Sequence, residues 1–216
     1  MEVVILDRQP SLFTQILAEL RDQKLQKDRH RFRWNLRRAA FLLAYEISKE
    51  LSYQLVEVTT PLGQAQAHIL AEPPVLVSIL RAGNPFLEGA MEAFDFADAG
   101  FVAAYRTELT NREVQVQIDY LAVPNLTGRP VVLMDPMIAT GRSILQAHEA
   151  IRLRGQPKVL FVMGLIASEY AVKVLQRHLP QAKLYVGAVD KELTARAFIV
   201  PGLGDAGDLA YGSLHG

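Results

Sequence analysis

Between residues 75 and 189 short apolar runs alternate with helical patterns, and this alternation constrains the fold more than any other feature of the chain. Residues 75–80, 100–105, 131–134, 159–166 and 184–189 read as strands, 114–121 as a further extended stretch and 198–200 as a last short strand. Residues 87–94, 144–153 and 169–178 read as helices, the second closed by Gly155 as a C-cap. Strands alternating with helices of this length predict an α/β fold with a mostly parallel central sheet flanked by helices. Ahead of this region, Leu12, Ile16, Leu17 and Leu20 share one helical face, and Leu36, Ala39, Ala40, Leu43 and Ile47 repeat the spacing after a basic interval at 24–33. That interval reads as a solvated face or a connector. Residues 53–70 read as a small hairpin arm turning at Pro61 to Gly63. No repeat, low-complexity tract or linker divides the chain. One domain over 1–216 is expected, with helices at about 11–50, the arm at about 53–70 and the core at about 75–216.

Composition narrows the function classes. The 216 residues suffice for a sizeable core, and half of them are apolar. The formal net charge is +0, which argues against a broad nucleic-acid surface, because such a surface needs excess Lys and Arg to displace counterions. A local basic patch at 27–38 stays open. The lack of cysteine excludes a disulfide framework, a thiolate metal site and a cysteine nucleophile, and is compatible with the cytoplasm, where the protein is expected. The apolar start has neither the basic flank nor the cleavage signature of a signal peptide. No apolar stretch approaches the ~20 residues that span a bilayer. His30, His68, His148, His178 and His215 show neither metal spacing nor a nucleophile–base pairing and read as structural or surface residues. Trp34 is expected to be packed.

The most informative segment is Asp135-Pro136-Met137-Ile138-Ala139-Thr140-Gly141-Arg142-Ser143. A buried strand delivers a carboxylate to the edge of the sheet where α/β proteins place ligands. A loop of small and hydroxyl residues follows, and a helix starts at once. Gly141 lets backbone N–H groups turn inward, Thr140 and Ser143 add hydroxyls, and the helix N-terminus adds partial positive charge. This combination describes a cradle for a phosphate monoester. The plainer alternative is that Ser143 caps a helix and Asp135 ends a strand. Walker A fails for want of its Lys and first Gly, and the hydrolase elbow fails at Leu145.

This segment resembles the phosphoribosyl pyrophosphate (PRPP) signature of the uracil phosphoribosyltransferase family, Asp-Pro-Met-Leu-Ala-Thr-Gly-Gly-Ser, departing at Ile138 and Arg142. Arg142 can either add a charge-assisted bond to a phosphate or point into solvent. Ile79-Leu80-Arg81-Ala82-Gly83 resembles the same family's pyrophosphate loop, while Asn84-Pro85-Phe86 replaces its usual Leu-Gly-Met. Ala104-Tyr105-Arg106 falls where the family carries a second pyrophosphate-binding arginine, and the lid segment after it, at 107–120, diverges. Gly202-Leu203-Gly204-Asp205-Ala206-Gly207 satisfies the dinucleotide fingerprint, but the βαβ context that fingerprint needs is missing. Residues 198–208 instead resemble the family's uracil-binding terminus, Tyr-Ile-Val-Pro-Gly-Leu-Gly-Asp-Ala-Gly-Asp, with Phe198 in place of Tyr. The resemblance runs from about Lys27 to the C-terminus.

What the resemblance implies is a type I phosphoribosyltransferase fold and a pentosyl transfer, uracil and PRPP giving UMP and pyrophosphate, in pyrimidine salvage. Residues 139–143 would hold the 5′-phosphate, with Pro136, Met137 and Ile138 completing the PRPP loop. Asp135 would face the ribose hydroxyls, and Arg81 and Arg106 the leaving pyrophosphate. Ile199, Gly204 and Ala206 would hold uracil, with Asp205 reaching toward PRPP. Mg²⁺ would arrive on PRPP, with no metal site in the protein. Arg81, Arg106, Asp135 and Asp205 are thus the expected catalytic residues. A regulator of the same fold that binds uridine nucleotides and RNA shares a Thr-Gly-Arg loop. It usually carries two adjacent acids where Asp135 and Pro136 stand, and it lacks the glycine-rich ending. A degenerate, non-catalytic partner subunit would not be expected to keep Asp135, Arg81 and Arg106. Exposed apolar positions on the N-terminal helices suggest a homo-oligomer, a homodimer or homotetramer. Binding of GTP goes with the resemblance and has no motif of its own.

Overall fold

The computed structural model describes residues 1–108 and 114–213. Its centre is a sheet built from β1 (Glu2–Ile5), β4 (Val75–Leu80), β5 (Ala99–Glu108), β6 (Val114–Ala122), β7 (Pro130–Met134), β9 (Val159–Ser168) and β10 (Lys183–Asp190). The order across the sheet is β1-β10-β9-β7-β4-β5-β6, and a two-residue strand, β8 (Met137–Ile138), also pairs with β9. Every pairing along it is parallel except that of β5 with β6. The α/β reading with a mostly parallel sheet therefore holds.

The apolar runs are continuous because both faces of the sheet are covered. Side chains alternate across a strand, and here each alternate set enters a different core. Leu76, Val132, Met134, Phe161, Met163 and Tyr185 pack with α1 (Leu12–Arg21), α2 (Arg29–Ser48) and α3 (Gly83–Ala93). Their neighbours Val75, Val77, Val131, Leu133, Val162 and Leu184 face α4 (Arg142–Ile151) and α5 (Glu169–His178). Ser11 opens α1 through a capping box with Thr14, and Asp28 caps α2 by accepting from Arg31 N at 3.1 Å.

The arm is present as β2 (Tyr53–Thr60) and β3 (Gly63–Leu70), an antiparallel pair in a sheet of its own. Several elements depart from the sequence reading. The N-terminal apolar run is an edge strand beside β10, and α3 starts four residues before Leu87. Helix α4 begins at Arg142, with Gly141 as its N-cap, so Ser143 lies inside the first turn and does not cap it. The glycine-rich terminus opens a helix after all, α6 (Ala206–Tyr211), though among the described residues no strand follows to complete a βαβ unit. Trp34 is 48% exposed, its ring 5.4 Å from the Arg37 guanidinium, because α2 turns that face away from the sheet. The basic interval is more than a connector: Arg31 pairs with Glu19, and Arg33 donates to the Ala210 carbonyl at 2.7 Å.

Candidate active site

Chain order reverses between β4 and β7. From β4 the chain proceeds to β5 on one side, whereas β7, β9 and β10 build out on the other. Ligands of open α/β sheets bind at such a switch point, beyond the carboxyl ends of the strands. The two loops that leave there carry Arg81, after β4, and Asp135, after β7. They are packed tightly. A Cβ on Gly83 would stand 2.4 Å from Ser78 Oγ and 3.6 Å from the Met134 carbonyl, so α3 can start this close to β7 only with glycine there.

The Asp135 loop is pinned from below. Asp135 N donates to the Met163 carbonyl at 3.1 Å, and Pro136 O accepts from Leu165 N and Ile166 N, each at 3.0 Å. Asp135 Oδ1 accepts from Met137 N at 3.1 Å. Ser168, fully buried, donates its hydroxyl to the Ala139 carbonyl at 2.5 Å while accepting from Ala171 N at 2.9 Å to cap α5. In a planar trans peptide the N–H lies opposite the C=O. Holding Ala139 O against the core therefore turns the Thr140 N–H to the outer side. Gly141, at φ 77°, then bends the chain into α4. Asp135, Met137, Ile138, Ala139, Thr140, Gly141, Ser143 and Ile144 line the resulting hollow at a helix N-terminus, an arrangement suited to a phosphate group. Arg142 is exposed at the first helical position.

A roomier cleft of about 540 Å³ opens elsewhere, between Val4 to Phe13 and the outer side of α2. None of the three signature loops reaches it. Size alone does not select the site here, since a phosphate needs directed N–H groups more than enclosure.

Arg81 joins the loop after β4 to the C-terminus. Its Nη2 donates to Asp208 Oδ1 at 2.7 Å and its Nη1 to the Gly212 carbonyl at 3.2 Å. Asn84 Nδ2 donates to Tyr211 Oη at 3.2 Å, so the Asn-Pro-Phe variant of this loop also ties α3 to α6. Asp205 caps α6, accepting from Asp208 N at 2.9 Å. Ile199 is buried in β12 (Ile199–Val200), which pairs with β11 (Glu192–Leu193), whereas Gly204 and Asp205 are exposed and Ala206 is buried. The Leu80–Arg81 and Val200–Pro201 peptides are cis. Arg106 lies in β5, but its side chain is outside the described residues, as are 109–113 of the expected lid. Asp208, Ser168, Arg21 and Asp190 are the site-supporting residues missed from sequence. Asp208 alone had a signal, its place inside the C-terminal motif.

A sheet of this order, with a phosphate hollow and an arginine loop at its switch point, defines a type I phosphoribosyltransferase. The sequence model of uracil phosphoribosyltransferases matches residues 8–213, a span that includes α1 and so begins ahead of Lys27. A uracil phosphoribosyltransferase of Porphyromonas gingivalis is 41% identical over 213 residues, covering 98% of this chain and 99% of its own. One from Metallosphaera sedula is 36% identical over 220 residues, covering 98% and 100%. The solved AQ2163 protein of Aquifex aeolicus superimposes with a TM-score of 0.86 at 32% identity, covering 97% of this chain and 98% of its own. A purine phosphoribosyltransferase from Pyrococcus horikoshii, at 16% identity and a TM-score of 0.52 over 74% of this chain and 87% of its own, shares the fold alone. The chain belongs to the uracil phosphoribosyltransferase family. A regulator of the same fold is not favoured.

Proposed function

We infer that this chain transfers the phosphoribosyl group of PRPP to uracil: N1 of uracil bonds to C1′ as the C1′–O bond to pyrophosphate breaks, and the N1 proton is released. The observation that carries the reading is the Arg81–Asp208 contact, which brings the pyrophosphate loop and the glycine-rich terminus to one sheet edge beside the Asp135 hollow.

Roles follow from what each group can do. The hollow at 139–143 takes the 5′-phosphate on outward N–H groups and the α4 N-terminus. Asp135, whose Oδ1 already accepts from Met137 N, is held to receive ribose hydroxyls and to offset positive charge as C1′ becomes oxocarbenium-like. Arg81 commits two N–H groups to Asp208 and Gly212, leaving its other donors for the leaving pyrophosphate, with Arg106 assigned to the same task. Backbone groups of Ile199, Gly204 and Ala206 match the alternating acceptors and donors of uracil. A single carboxylate beside an anion cradle suits Mg²⁺ brought in on substrate oxygens, where it would neutralise pyrophosphate charge.

The exposed apolar side chains on the N-terminal helices, Leu12, Trp34, Phe41 and Tyr45, support a homo-oligomer. The experiment that tests the activity is UMP formation from uracil and PRPP with Mg²⁺, alongside orotate, hypoxanthine and adenine. Turnover with uracil alone is expected. Binding of UMP or PRPP with no reaction of any base would overturn the catalytic reading.

A further inference from the structure

The base loop has little regular structure to hold it. Strand β12 is two residues long, paired through Ile199 with Leu193 and through Val200 with Glu192. The loop's turn is gripped by side chains from two distant elements. Asp190 is the last residue of β10 and Arg21 the last of α1. Arg21 grips Asp190 with both arms, Nη1 to Oδ2 at 2.7 Å and Nη2 to Oδ1 at 2.8 Å. The same Nη1 donates to the Gly202 carbonyl at 2.9 Å, and Gly202 N donates to Asp190 Oδ2 at 2.9 Å. One ion pair thus holds both backbone polar groups of a single residue.

That residue is where the loop turns. Gly202 has φ 53°, and a Cβ there would lie 2.2 Å from the Ile199 carbonyl, so the chain folds back closely on β12. Two residues later comes Gly204 and four later Ala206, the groups assigned to uracil. Asp190 is 8% exposed and the Arg21 side chain 23%, so water competes weakly for these charge-assisted bonds. The phosphate hollow has separate support, from Ser168 and the pairing of β8 with β9. The two halves of the site therefore hang on different side chains, although Asp190 and Ser168 are register partners at the ends of neighbouring strands β10 and β9.

We propose that Arg21 and Asp190 are positioning residues for base recognition, acting through Gly202 to set where Gly204 and Ala206 present their backbone groups to uracil. The proposal rests on the reading of the C-terminal loop as the base site. The test uses Arg21→Gln, Asp190→Asn and the conservative Arg21→Lys. It reads KM for uracil and for PRPP separately, the melting temperature, and amide hydrogen exchange over 199–206 and 135–143. Arg21→Gln and Asp190→Asn are expected to raise KM for uracil about tenfold or more and KM for PRPP by clearly less, since only Asp205 of the displaced segment is assigned to PRPP. They should speed exchange from Gly202 onward while leaving 135–143 unchanged, and Arg21→Lys should recover part of the loss. An unchanged KM for uracil, or equal rises for both substrates, overturns the proposal. A wild-type chain that makes no UMP overturns the base-site reading instead, and unchanged protection at Gly202 in Asp190→Asn would then sink the positioning role by itself. Where Arg21→Gln fails to fold, Arg21→Lys is expected to show the same ordering with smaller changes, and its absence counts against the proposal.

Discussion

At Asp205 a structural role and a proposed chemical one share a carboxylate. Its Oδ1 caps α6 through Asp208 N, a bond worth about 1 kcal/mol to the helix. Asn caps as well as Asp, so Asp205→Asn removes the charge and keeps the cap, whereas Asp205→Ala removes both. We expect Asp205→Ala to lower kcat/KM on the order of 100-fold, about 2.7 kcal/mol of transition-state stabilisation. Glu169, exposed at the start of α5, is the control, and Glu169→Ala should leave turnover within about twofold. Equal losses in steady-state assays would remove Asp205 from the site, and full activity in Asp205→Asn would show that the charge is not used. Arg81→Gln addresses the leaving group. The pair it makes with Asp208 is 35% and 43% exposed, which predicts a small change in melting temperature. Loss of a donor aimed at developing charge should cost about 10²–10³ in kcat, and a loss confined to stability would return Arg81 to a structural role.

Helix α4 carries the proposed phosphate end of the site, and its start depends on Gly141. At φ 77° a side chain is strained, although a Cβ would meet only Leu175 and Val174 side-chain atoms at an ordinary 3.5 Å. Backbone conformation, not crowding, therefore sets the cost of Gly141→Ala at roughly 1–2 kcal/mol, a fall of several degrees in melting temperature. A raised KM for PRPP with an unchanged KM for uracil is the expected kinetic signature, and equal effects on both would argue against a local phosphate role. His148, on the same helix, titrates below its ordinary value, chiefly because burial disfavours the imidazolium, with Arg152 adding to the effect and Glu149 opposing it. The unfolded chain then takes up this proton at higher pH than the folded one. The contribution is fully present above the unfolded value, about 6.5, and is lost as pH falls below it. Thermal melts should show the midpoint dropping on acidification through that range, and dropping less in His148→Gln. Parallel curves would assign the change to other groups.

Across the whole molecule, two apolar cores clamp one sheet, while the outer side of α2 and both faces of the hairpin arm are left open. Leu62 at the arm's tip is fully exposed, and Tyr53, Leu55, Val58 and Ile69 are each more than a third exposed. An isolated two-stranded hairpin is marginal in water, so a second copy of the chain covering the arm or α2 would remove an unfavourable exposure. Light scattering should return at least twice the 24.0 kDa of the chain, and a value of 24.0 kDa across working concentrations would exclude the homo-oligomer.

The alternation of strands and helices, the arm with its turn, and the three loops rich in glycine, arginine and acid are all legible in consecutive residues. Periodicity and short spacings are local properties, and the sheet and the small-residue loop ahead of α4 follow from them. The edge strand β1 was not legible, because a four-residue strand with three apolar residues carries no period of its own until β10 lies beside it. Nor was α6, whose six residues are too few to show one. The outward turn of Trp34 depended on which face of α2 met the sheet. Above all, the contacts that assemble the site span 127 residues from Arg81 to Asp208, 169 from Arg21 to Asp190 and 177 from Arg33 to Ala210. Linear order holds no trace of such pairings, since they are made by the packing of α1, α2 and α6 around one sheet edge. The chain's own pattern determined which loops carry the glycine, arginine and acid of the proposed site. The tertiary structure decided that they face one another, because only packing brings groups so far apart within hydrogen-bond reach.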